Sequence, residues 1–227
     1  MDISDELKEI LKEAGAALVG YGDMEGIEAY GYPVGVSVAV PIPSDILRGM
    51  EEGPTKEYYD MYFELNNKLN NIVSAGEAFL KKRGYKAYAQ TTDVVKQDND
   101  DRSVLPHKTV ATRAGLGWIG KSCLLVTPEY GSAIRISSLL TDAPLKFSKP
   151  IGKSRCGSCN RCVEACPAKA LKGTLWESGM AREDIFERGV CRKKQRELLK
   201  ARTGIEDGLC GICFVVCPYT RKYISNL

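Results

Sequence analysis

The 227-residue sequence predicts an α+β protein, with a mixed α/β N-terminal domain over residues 1–147 and a small cysteine-rich domain over 148–227. Three observations carry this. Helical and strand periodicities alternate through the first part of the chain. Eight of the nine cysteines fall between Cys156 and Cys217, and none precedes Cys123. A linker-like passage, Pro144 to Gly152, separates the two compositions.

The elements follow in order. Leu7, Ile10, Leu11 and Ala14 recur at helical spacing, with Ser4 placed to cap the helix and Gly15 to end it. Val34, Val36, Val38 and Val40 alternate with small residues, a strand pattern stopped by Pro41 and Pro43. Thr55 opens a long helix whose apolar stripe runs through Tyr58, Tyr62, Leu65, Leu69, Ile72 and Phe79, and Gly84 closes it. Tyr85 to Gln90 reads as a strand, and the acidic stretch Asp93 to Arg102 as a solvated loop. A short helix is expected over Lys108 to Ala114, then a glycine-rich turn. Cys123–Thr127 and Ser132–Leu140, joined by Pro128-Glu129-Tyr130-Gly131, read as a hairpin.

Composition narrows the function. With 44% apolar and 27% charged residues the chain can build a hydrophobic core and is not a disordered one. No apolar run approaches the roughly 18 residues that span a bilayer, so no membrane association is expected. Met1–Glu6 is acidic and has no apolar signal region, which points to the cytoplasm. A reducing compartment and clustered cysteines favour thiolates bound to metal over disulfides. The net charge of +3 does not argue for nucleic acid.

Cys156, Cys159, Cys162 and Cys166-Pro167 form the C-x2-C-x2-C-x3-C-P run of iron–sulfur proteins. Three closely spaced cysteines can wrap one cube, while the fourth points elsewhere. A second set, Cys210, Cys213 and Cys217-Pro218, has its leading member, Cys191, far upstream. By the ferredoxin pattern, in which the fourth cysteine serves the other cluster, one [4Fe–4S] cluster takes Cys156, Cys159, Cys162 and Cys217. The other takes Cys191, Cys210, Cys213 and Cys166. Structural zinc is the alternative, since C-x2-C pairs serve it too, but it does not account for the two C-P endings. Two such cubes form an electron wire, and the N-terminal domain should hold what receives the electrons.

Gly115 to Ser122 satisfies both G-x-G-x-x-G and G-x-x-x-x-G-K-[ST] as strings. Both motifs need a strand before the glycines and a helix after them. Here a helix precedes and a strand follows, so neither nucleotide site is expected. Bare glycine backbone still lets a ligand approach closely.

Arg113-Ala-Gly-Leu-Gly-Trp-Ile-Gly-Lys-Ser122, then Gly131-Ser132 and Leu140-Thr-Asp142-Ala-Pro-Leu145, together with the split Cys191…Cys217-Pro218 set, resemble the epoxyqueuosine reductases. The likeness runs over about residues 85–221. It implies a nitroreductase-like cofactor domain joined to a ferredoxin-like domain with two [4Fe–4S] clusters, a plan shared with reductive dehalogenases. It implies cobalamin as the cofactor, with a flavin as the alternative. Arg113, Gly115, Gly117, Trp118, Gly120 and Lys121 would then lie against the corrinoid. Members acting on tRNA carry an Asp-Thr-Gly-Pro stretch whose aspartate donates a proton, and Asp93 in Gln90-Thr-Thr-Asp93-Val-Val95 is its candidate counterpart.

The residues therefore support a cytoplasmic iron–sulfur reductase fed by a low-potential donor such as ferredoxin or flavodoxin. The rivals are an electron-transfer or corrinoid-reducing partner protein without its own substrate, and a tRNA epoxyqueuosine reductase. Asp93 and His107, the sole histidine, are the candidate catalytic groups; such an acid needs a pKa raised toward the working pH by burial. A small-molecule substrate is expected over tRNA, because +3 supplies no basic groove and the chain stops at Leu227 without a helical-repeat extension. Cys123 reads as a buried small hydrophobe, and Trp118, Tyr58, Tyr59 and Tyr62 as core or interface and not stacking platforms. Arg192, Lys193, Lys194 and Arg196 form either a solvated helix face or a dock for an acidic donor or RNA.

Overall fold

The valine strand shows how the first layer is built. Val34, Val36, Val38 and Val40 point to one side and Gly35, Ser37 and Ala39 to the other, because side chains alternate along a strand. In the computed structural model, which describes residues 2–225, the order is α1 (Ile3–Glu13), β1 (Leu18–Asp23), β2 (Val34–Pro41), α2 (Ser44–Gly49) and α3 (Lys56–Lys82). Then come β3 (Ala87–Ala89), α4 (His107–Arg113), β4 (Trp118–Ile119), β5 (Leu125–Val126) and β6 (Ile134–Thr141). The chain ends with α5 (Arg161–Ala165), α6 (Arg188–Thr203), α7 (Ile212–Val215) and α8 (Pro218–Ser225). No helix is long and apolar enough to cross a membrane among the described residues.

Two compact units share the chain. One takes the chain up to Pro41, Glu64–Gly117 and Arg135–Ile151; the other takes Ile42–Phe63, Trp118–Ile134 and the chain from Gly152 onward. The units are thus interleaved and do not follow the expected division at 147/148. The cysteine-rich unit recruits two earlier segments, a long-range association that composition along the chain does not display.

The first unit is a four-stranded sheet in the order β1-β2-β6-β3, with β1–β2 and β3–β6 antiparallel. Its valine face packs with Leu7 and Leu11 of α1 and Leu69, Ile72 and Val73 of α3 into the main core. On the glycine face the sheet meets α4. A Cβ at Gly20 would lie 2.3 Å from the Ala114 carbonyl oxygen, one at Gly22 2.7 Å from the Ala114 nitrogen, and one at Gly35 2.7 Å from Val110. Glycine is what lets α4 press this close. The small residues of β1 and β2 therefore make a seat for a helix.

Local expectations are modified at three places. Asp2 caps α1, accepting from the Ser4 and Asp5 amides at 2.8 and 3.1 Å. Ser4 lies inside that helix, where its hydroxyl accepts from the Lys146 amide at 2.9 Å. A carboxylate one residue earlier reaches the first-turn amides and displaces the serine as cap. The expected hairpin also divides: Thr127 and Gly131 form a bridge, but β5 pairs with β4 and β6 joins the large sheet. The Leu18–Asp23 strand was not foreseen, since Gly20 and Gly22 weaken its pattern.

The helix seat is testable by equilibrium urea denaturation. Gly22→Val should lower stability by about 1–3 kcal/mol through overpacking against α4. Gly49→Ala, on a helix with open space around it, should leave stability unchanged or raise it by up to about 1 kcal/mol.

Candidate metal centre

In the second unit, short helices bring separated cysteines together. Cys156 and Cys159 lie on the loop before α5, Cys162 in its first turn, and Cys217 immediately before α8. Pro218 opens α8, where a missing N–H costs nothing. The thiol of Cys217 receives the Thr220 and Tyr219 amides, so the start of that helix faces its sulfur. Cys156, Cys159, Cys162 and Cys217 line one cavity, with Gly120, Lys121 and Ser122 on its rim and Cys213 also reaching it.

Three of the other four, Cys166, Cys191 and Cys213, meet in a second apolar cluster. Cys166 packs with Ala170 and Leu171, and against them lie Cys191 of α6, Cys213 of α7 and Phe186. Cys210 and Cys191 both feel the charge of Cys166. Gly211, at φ 89°, turns the chain between Cys210 and α7; a side chain there would meet Met50 at 2.4 Å. Cys162 and Cys213 are common to both surroundings, each lining the first cavity and packing against the cluster of Cys166, Ala170 and Leu171.

Burial sets the protonation of these thiols. It is the largest cause that pushes Cys162 and Cys191 up to about 11, with neighbouring thiols adding to it. Burial raises Cys213 far more, and Cys210 and Cys217 as well. Without a cation these five sulfurs favour the protonated form, so ligation must release protons and supply positive charge. Zinc and a cube each take four sulfurs, and Cys156, Cys159, Cys162 and Cys217 line one cavity as the ligands of a cube would.

Lys121 adds a cation to that rim. It is 5% exposed, and its Nζ donates to Asn160 Oδ1 at 2.8 Å. Asn160 lies between Cys159 and Cys162, so the cysteine loop itself positions the lysine. Trp118 is buried with its ring edge-on to Tyr219 at 5.1 Å and Arg155 5.6 Å from its centroid.

The loop expected to lie against a corrinoid has other partners here. Arg113 donates to the Asp23 and Glu25 carbonyls at 2.9 and 2.8 Å, tying α4 to the end of β1. Gly115, at φ 72°, abuts the Lys149 carbonyl. Gly117 ends its segment of the first unit, whereas Trp118, Gly120 and Lys121 belong to the cysteine unit. A helix precedes these glycines and short strands follow, in keeping with the exclusion of both nucleotide motifs. Cys123 is buried, at φ 60°.

In the first unit His107 starts α4. Ser138 donates its hydroxyl to Gln90 Oε1 at 2.6 Å, and its oxygen lies 2.8 Å from His107 Nδ1. With that hydrogen committed, Nδ1 carries the imidazole proton. Burial, and secondarily the Arg135 charge, lower the His107 pKa to about 4. Asp93 departs from what a catalytic acid requires: it is exposed, and the Thr91 hydroxyl holds its carboxyl below the usual value. Its turn gives it hydrogen bonds and no burial. Ser138, Gln90 and Asn160 carried no motif of their own and were not singled out by sequence.

Comparison with known proteins places these features. Residues 155–220 match the model of the 4Fe-4S double cluster binding domain. An epoxyqueuosine reductase of Lactococcus garvieae (strain Lg2) is 32% identical over 205 residues, covering 84% of this chain and 53% of that protein. A structure described as suggesting a mechanism for B12-dependent dehalogenation by a reductive dehalogenase superposes with a TM-score of 0.74 at 19% identity. That match covers 95% of this chain and 31% of the other. An epoxyqueuosine reductase solved with a tRNA-Tyr epoxyqueuosine-modified stem loop gives 0.60 at 23% identity, covering 96% and 65%. The chain spans about half the length of the curated relatives it matches, or less. These solved structures share its mixed α+β fold.

The His107 assignment predicts that its ring resonances titrate with a midpoint near 4 in an NMR pH series; a midpoint near 6.5 would refute it. Because the folded pKa lies below the unfolded 6.5, the unfolded chain binds the extra proton. Stability should thus fall as pH drops from 6.5 to 4, by up to about 3 kcal/mol. His107→Gln should abolish that slope.

Proposed function

We propose that this epoxyqueuosine reductase-like protein, with its double-cluster domain over residues 155–220, is an iron–sulfur reductase acting on epoxyqueuosine in tRNA. The observation carrying the reading is that Cys156, Cys159, Cys162 and Cys217 line one cavity within the residues that match the double-cluster domain. Cys156, Cys159, Cys162 and Cys217 would hold one [4Fe–4S] cluster, and Cys166, Cys191, Cys210 and Cys213 the other. Each cube moves one electron at a time, fed by a low-potential donor such as ferredoxin or flavodoxin.

The names of the relatives favour tRNA over the small molecule expected from the net charge. The fold likeness to a B12-dependent dehalogenase favours cobalamin over flavin. A corrinoid would supply low-valent cobalt to the substrate. Arg113 and Gly115 do not fit the role of corrinoid contacts, since both are engaged within their own unit. His107 is neutral above pH 4 and holds its proton on Nδ1 toward Ser138, so in this arrangement it is an acceptor at Nε2 and not an acid.

Anaerobic reconstitution should load about eight irons per chain. Cys217→Ala and Cys191→Ala should each leave about four irons and a single cluster signal by EPR. Bound zinc with no iron would sink the cluster reading. Incubation with hydroxocobalamin, reductant and an epoxyqueuosine-bearing tRNA stem loop should yield queuosine by nucleoside mass spectrometry. A fully loaded protein that leaves epoxyqueuosine unchanged would refute the substrate.

A further inference from the structure

Among the described residues, Lys121 alone of the lysine, arginine, aspartate and glutamate side chains is buried. Burying an ammonium is costly unless an anion compensates it. Its hydrogen-bond partner, Asn160 Oδ1, is neutral, and no carboxylate among the described residues pairs with it. What Lys121 does face is the cavity lined by Cys156, Cys159, Cys162 and Cys217. The adjoining Gly120 brings the backbone close, since a Cβ there would stand 3.6 Å from Cys156 Sγ and 2.8 Å from Val126.

We propose that Lys121 is the counter-charge of the cluster in this cavity and makes it the higher-potential member of the pair. The inference rests on the cluster reading given above. A cube with four thiolates carries a net charge of about −2 when oxidised and about −3 when reduced. A buried ammonium stabilises the more negative form more, and low local dielectric strengthens the effect. The other group has no buried lysine or arginine among the described residues. Cys166 packs with Ala170 and Leu171, and the Gln195 amide donates to Cys191 Sγ at 3.4 Å. A neutral amide biases a potential less than a full charge does. The electron given up by the cluster of Cys166, Cys191, Cys210 and Cys213 is the electron gained by the cluster beside Lys121. A reduced ferredoxin or flavodoxin replaces it.

The test is an EPR-monitored redox titration of the reconstituted full chain. In Lys121→Gln, one of the two midpoints should fall so that the reduced-to-oxidised ratio at fixed potential drops about tenfold, or about 59 mV for one electron. The other midpoint should not move. Lys121→Arg should retain the wild-type value. In Cys217→Ala, which lacks the cluster beside the lysine, Lys121→Gln should have no effect on the remaining midpoint. Full iron loading with both midpoints unchanged in Lys121→Gln would overturn the proposal. A wild-type chain that takes up no iron would instead overturn the cluster reading. Should Lys121→Gln lose iron, Asn160→Asp decides, because a carboxylate against the ammonium must lower the same midpoint, and an unchanged value would refute the role.

Discussion

The second unit depends on one constraint: sulfurs buried among apolar neighbours cannot carry charge unless a cation sits among them. Of the eight cysteines in this constraint Cys166 is buried with Ala170 and Leu171, and the other seven are half-buried. Its helices cannot supply the missing order. α5 and α7 have five and four residues, far below the length at which a helix is stable alone. Ligands drawn from α5, α6, α7 and the entry to α8 would tie these two short helices to the longer α6 and to α8, which would couple metal binding to folding.

The first unit obeys a different rule. Its order comes from close approach of backbone to backbone, with Gly20, Gly22 and Gly35 removing the side chains that would hold α4 away from the sheet. Gly76 does the same on the other face, where a Cβ would meet Leu139 at 2.8 Å and Leu11 at 2.9 Å. This unit has a conventional apolar core that needs no cofactor to close it. Loss of metal should then affect the two units unequally.

What was legible in the sequence was local. The cysteine spacing pointed to a double-cluster domain, and residues 155–220 match the model of one, because the C-x2-C-x2-C-x3-C-P run is a property of one short segment. The valine alternation of β2 and the stripe of α3 were equally readable, since each is a property of one element. Non-local pairing was not. β5 leaves the β6 partner its turn suggests and takes β4, and residues 42–63 and 118–134 join a unit whose signature begins at Cys156. The Ser138–Gln90–His107 chain likewise joins three segments, none of which announces the others.

The glycine loop shows why a string can match a motif and still be doing related physics. In a phosphate-binding loop, bare glycine backbone admits an anion and the following lysine neutralises it. That arrangement needs a helix after the loop, because the helix N-terminus is part of the anion site, and here the next element is the short β5. Yet Gly120 and Lys121 stand together at a cavity lined by four cysteines. The lysine is buried, as no lysine on a solvated face would be, and Asn160 of the cysteine loop orients it. The shared feature is a glycine that removes bulk followed by a lysine that brings charge. The anion it suits in this fold is a thiolate-ligated cube, whose charge rises on reduction, whereas a phosphate keeps its own.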